Sequence, residues 1–150
     1  MDVSTPPPAE HTLRLALAQK LLHAWSQNRQ QVRVPLALNL ARLPPDHRRL
    51  LVGVMGASLA ACGASAEEDR ARLAAALTRL GAEGDETGTP DLIPLLAALE
   101  QAELGPHAFA AAALVMDGRV PAQRLFLSWL AARFGLPPSL VSGLARRYRA

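Results

Sequence analysis

A chain of 150 residues and 16.0 kDa is long enough for one domain with a sizeable core, and half of it is hydrophobic. Ala and Leu supply most of that half and only 4% is aromatic, a balance that suits helix interiors and excludes a strand-rich fold. The net charge of +3 is unevenly spread, with seven Arg/Lys against three acids in residues 1–66, three Arg against ten acids in 67–117, and six Arg with no acid in 118–150.

Along the chain, residues 1–9 read as a flexible, Pro-rich arm, because three successive prolines at 6–8 cannot enter a helix interior. A single helical domain is expected over 10–150. The spacing of Leu13, Leu17, Leu21, Ala24 and Trp25 predicts an amphipathic helix from His11 to Arg29. A short segment, Pro35 to Ala41, ends at Leu43-Pro44-Pro45. Pro45 then opens a helix through Cys62, with Leu50, Leu51, Val54, Met55 and Ser58 in its buried stripe. Gly53 and Gly56 weaken this helix but allow a neighbouring backbone to come close. Ser65 and Glu68 form a capping box for a helix that stops at Leu80-Gly81, and Glu67, Glu68 and Asp69 suit the positive end of its dipole. Gly81 to Pro90 is the main surface loop, and a helix from Pro94 to Glu103 follows. Pro106, Pro121 and Pro138 each stand where a helix begins, marking helices at 106–117, 121–134 and 138–149.

The outcome is an all-α, compact bundle of seven or eight short helices. LAACGASAEEDRARLAAALTRLG, ending at Gly81, parallels ALVMDGRVPAQRLFLSWLAARFG, ending at Gly135: helix, small-residue turn, helix, glycine stop. This is a two-fold internal pseudo-repeat of helix pairs.

Nothing in the chain has the spacing of a catalytic site. His11, His23, His47 and His107 are scattered singly, GVMG at 53–56 lies inside an apolar helix, and no G-x-S-x-G elbow occurs. The chain therefore reads as a non-enzyme, with no cofactor. The stripe Leu125, Phe126, Trp129, Leu130 and Phe134 reads as core. One cysteine, Cys62, excludes an internal disulfide framework and fits a reducing compartment. The polar, Pro-rich start resembles neither a signal peptide nor a transit peptide. RRLLVGVMGASLAAC at 48–62 has the look of a lipoprotein signal, which would make Cys62 a lipidated residue. It is too short and too rich in Ala, Gly and Ser to span a bilayer.

AARFGLPPSLVSGL at 131–144 has helix-turn-helix spacing, with Ala131 four residues before Gly135 and Val141 and Leu144 as anchors of the second helix. In that alternative, residues 121–149 bind DNA, and Ser139, Ser142, Arg146, Arg147 and Arg149 contact it. Asp117-Gly118 could begin a metal loop, but the residues that follow Gly118 supply no ligands.

From about Asp91 onward, AFAAAALVMDGRVPAQRLFLSWLAARFGLPPSLVSGL at 108–144 resembles the TerB-like, tellurite-resistance-associated helical domains, nearest the YebE-type branch of unknown function. The resemblance implies an all-α bundle of two related halves, a link to stress responses, and acidic metal-binding positions in some members. Here Cys62-Gly63 stands for the expected Asp-Gly of the first half and Gln123 for the usual Glu of the second. Asp117, Glu67 and Glu68 remain as degenerate positions, and no metal is expected. Together these readings describe a cytoplasmic protein–protein interaction module, membrane-peripheral at most, whose partner and oligomeric state stay open; the alternatives are a DNA-binding regulator and a lipoprotein.

Overall fold

A computed structural model describes residues 8–31, 38–63, 67–85 and 88–148. The described residues form seven α-helices and one 3-10 turn, and none of them is in a strand. The helices are α1 (Pro8–Gln31), α2 (Pro45–Ala61), α3 (Glu67–Arg79), α4 (Leu92–Gln101), α5 (Gly105–Val115), α6 (Pro121–Arg133) and α7 (Pro138–Tyr148), and the 3-10 turn is Leu40–Arg42. The chain divides into two compact units, Met1–Arg33 and Val34–Ala150.

The first unit is α1, which is longer at both ends than the sequence reading. The expected arm falls mostly at 1–7, and the capping Ser65 and the start of the 35–41 segment likewise lie outside the described residues. Leu13, Leu17 and Leu21 are exposed, and so are Leu15 and Leu22. At about 100° per residue, Leu15 and Leu22 project on the side opposite Leu13. The helix thus has no single apolar stripe, and the amphipathic expectation, built on one face only, does not describe it.

The second unit is organised around α5. From His107 to Val115 every residue of this helix is buried, because its alanine run presents little bulk on any side. Helices α2, α3, α4, α6 and α7 all pack on it. The other central helix is α2, with Leu51, Val52, Val54, Met55, Ala57, Ser58 and Leu59 buried and Leu50 half-buried. A Cβ added at Gly53 would only meet the side chains of Pro90 and Leu95 at ordinary contact distance, so no close backbone approach occurs there.

Three helices end in the same way. At α3, α4 and α6 the residues Gly81, Glu103 and Gly135 take φ of +71°, +56° and +60°. The next amide donates to a carbonyl five residues back, Ala82 to Leu77, Leu104 to Leu99 and Leu136 to Ala131. Gly81 carries a second constraint. An added Cβ would lie 2.9 Å from Asn39 Oδ1, the atom that accepts from the Ala41 amide and caps the 3-10 turn. Leu40 donates its amide to Leu80 O at 2.7 Å, so the C-terminus of α3 and the start of this unit are tied at one point.

The proline signals hold for α2, α5, α6 and α7 to within a residue at their starts. Helix α4 begins at Leu92, two residues before Pro94, since proline is also tolerated inside the first turn. Helix α5 ends at Val115, leaving Asp117 in the turn that follows.

Candidate functional site

The two expected halves meet at a polar junction between α3, the C-terminus of α5 and the start of α6. Its centre is Arg72. The guanidinium is 3.2 Å from Asp69 Oδ1 on its own helix and 3.6 Å from Asp117 Oδ2 in the α5–α6 turn, and it donates to Val115 O at 3.4 Å. Asp117 Oδ1 accepts the Arg119 amide at 2.9 Å and fixes the turn.

Gln123, only 3% exposed, completes the junction. Its Oε1 accepts from the Asp117 amide, and its Nε2 donates to Asp69 Oδ1 at 3.4 Å. An amide can do both. A carboxylate at 123 could accept but not donate, and would add a third negative charge. Among the described residues no group of three or more His, Cys, Asp or Glu could hold a metal. The cation between Asp69 and Asp117 is the arginine itself. Of the acids singled out from sequence, Asp117 belongs to the junction, whereas Glu67 and Glu68 are exposed and the contributor from α3 is Asp69. Glu68 and Asp69 both lie about one turn before Arg72, and it is Asp69 that the guanidinium meets.

Cys62 is the half-buried C-cap of α2, with its Sγ 4.0 Å from Ala122 O at the start of α6. Burial pushes its thiol up from the ordinary value, and the charge of Asp69 pushes the same way. The thiol form is favoured, not the reactive thiolate.

The face expected to meet nucleic acid is exposed. Leu140, Leu144 and Tyr148 bury one side of α7, and Ser139, Ser142, Arg146 and Arg147 lie on the exposed remainder. Arg149 lies outside the described residues. The α6 stripe differs from expectation. Leu130 is buried and Phe126 and Phe134 are half-buried, but Leu125 is 70% exposed and Trp129 42% exposed. Helix α6 turns Gln123, Leu130 and Ala131 inward, and the same rotation sends Leu125 and Trp129, one turn apart, outward. Phe126 and Trp129 stand with ring centroids 5.5 Å apart.

His107 is a buried histidine away from the junction. Burial holds its imidazole below the ordinary histidine value of 6.5, and charge on His47 pushes in the same direction. Its Nδ1 has no hydrogen-bond partner among the described residues. A histidine whose folded value is depressed binds fewer protons folded than unfolded, so stability falls as pH drops through 6.5 toward the folded value. Urea midpoints measured from pH 7 to pH 5 are expected to decline more steeply for the natural chain than for His107→Leu. Equal slopes would show that His107 does not carry this dependence.

No helix among the described residues is long and apolar enough to cross a membrane. No protein-family model, curated protein or solved structure matches this chain.

Proposed function

We propose that this chain is a non-enzymatic helical module that acts by binding another protein through the exposed side of α6. The observation that carries the reading is the outward Leu125–Trp129 pair. Apolar side chains grouped on one exposed face mark contact surfaces in water-soluble folds, and Trp is among the residues that dominate such contacts. Arg119 is exposed on the same segment, which suits a partner with acidic residues around an apolar face.

The TerB-like assignment, with its link to stress responses, belongs to the same reading. Its support is the common plan of α2–α3 and α5–α6, whose second helices both stop at a left-handed glycine, Gly81 and Gly135. A cytoplasmic setting is in keeping with a lone cysteine.

A photo-activatable residue at position 125 is expected to give a discrete protein adduct in cells. The adduct should disappear when Trp129→Asp is added, and the same probe at Arg70 should not form it. Adduct formation that ignores Trp129→Asp would overturn the reading.

The acid-free stretch after Asp117 and the exposed Arg146 and Arg147 favour one second reading, a DNA-binding regulator. It requires salt-dependent duplex binding that weakens when Arg146, Arg147 and Arg149 become Ala; absence of binding at low salt sinks it. The lipoprotein reading starts the chain at Cys62 and so discards Leu51, Val54, Met55 and Leu59 from the core, and no observation favours it.

A further inference from the structure

Helices α5, α6 and α7 border a half-open pocket of about 170 Å³. Its cause is legible in the residues. Ala113 of α5, Gly118 of the following turn and Ala145 of α7 are small, and the larger Phe109, Met116, Leu127 and Val141 stand around the space they leave. Its lining is mainly apolar, and a pocket of this volume has room for a benzene-sized group.

One wall differs from the rest. Arg124, an exposed residue, lines the pocket from α6 next to Ser128, and among the described residues its guanidinium has no ion pair or hydrogen bond. No acid occurs anywhere after Asp117 to neutralise it. The pocket lies on the side of α6 that carries Arg124, Leu127 and Ser128, about 60–160° around the helix from Leu125 and Trp129. It is therefore separate from the protein-contact face, and the two can be tested independently.

We propose that this cavity binds a small organic carboxylate with a benzene-sized apolar body, the body seated against Phe109, Met116 and Val141 and the carboxylate paired with Arg124. The apolar lining sets the size of the ligand. The unpaired guanidinium sets its charge, since a planar fork of N–H donors matches a carboxylate.

Phenylacetate is the probe, with phenylacetamide as its uncharged counterpart of nearly equal shape. Titrated into the full-length chain and followed by amide and methyl NMR shifts, phenylacetate is expected to saturate with a Kd on the order of 0.1–1 mM. The shifts should centre on Ala113, Leu127 and Val141, with intermolecular contacts to the Phe109 ring. Phenylacetamide should bind about tenfold more weakly, and Arg124→Gln should erase the difference. Ala145→Leu, which fills the cavity, should abolish both. The intermolecular contacts to Phe109 in the natural chain test the location even if that variant does not fold. Absence of saturable phenylacetate binding, equal affinity for acid and amide, or contacts mapping elsewhere would each overturn the proposal.

Discussion

Replacing Phe109 with Ala is expected to remove about 3–5 kcal/mol of folding stability, measured as a lower urea midpoint at unchanged slope. Phe109 is 1% exposed on the helix that every other helix of its unit packs against. Two effects add. The truncation returns aromatic surface to an apolar hole, and that hole opens onto the cavity which Phe109 already lines. Alanines dominate this part of α5 and cannot reach across the gap, so collapse offsets little of the loss. With total stabilities of about 5–15 kcal/mol typical of single domains, one substitution takes away a large share. A loss below about 1 kcal/mol would mean that α5 is not the centre of the bundle.

The second large effect lies at the polar junction. Arg72→Met keeps the aliphatic stem and removes the charge and the hydrogen bonds. A cost of about 1–3 kcal/mol is expected, because Asp69 and Asp117 then face one another with no counter-charge between them and Val115 O loses a donor. The three side chains are less than a third exposed, so water compensates only in part. Asp117→Asn in the Arg72→Met background should cost less than it does alone, a coupling of roughly 0.5–1 kcal/mol in a double-mutant cycle. Strict additivity would show that the pair is incidental to stability.

How far the sequence reveals these features depends on whether the signal is local. Proline at a helix start and glycine at a helix stop act through their own backbone, so Pro45, Pro106, Pro121, Pro138, Gly81 and Gly135 mark boundaries correctly before any packing is known. The left-handed stop after α4 is invisible to the same reasoning, because Glu103 takes that conformation with no side-chain feature that announces it. Leu125 and Trp129 have the same periodicity as core residues. Only the docking of α6, through Leu130, Ala131 and the hydrogen bonds of Gln123, shows which half of its apolar surface stays outside. Gln123 itself reads as a lost carboxylate in isolation, and its two-way role emerges only once Asp69 and the Asp117 amide are beside it. Arg124 is similarly silent in sequence, since what distinguishes it is the absence of an ion-pair partner among the described residues.

Because the positive charge at the α3–α5–α6 junction is part of the chain, no chelator can withdraw it and no change in ion supply can exchange it. Its supply is governed by α3 instead. When the first turns of α3 open, Arg72 and Asp69 leave together, and Asp117, Gln123 and the Val115 carbonyl lose partners in the same event. The α5–α6 turn therefore opens no less readily than the start of α3. Its amides at Asp117 and Arg119 should exchange with solvent deuterium in step with those early turns of α3, linking two segments about fifty residues apart in sequence into one unit of local unfolding.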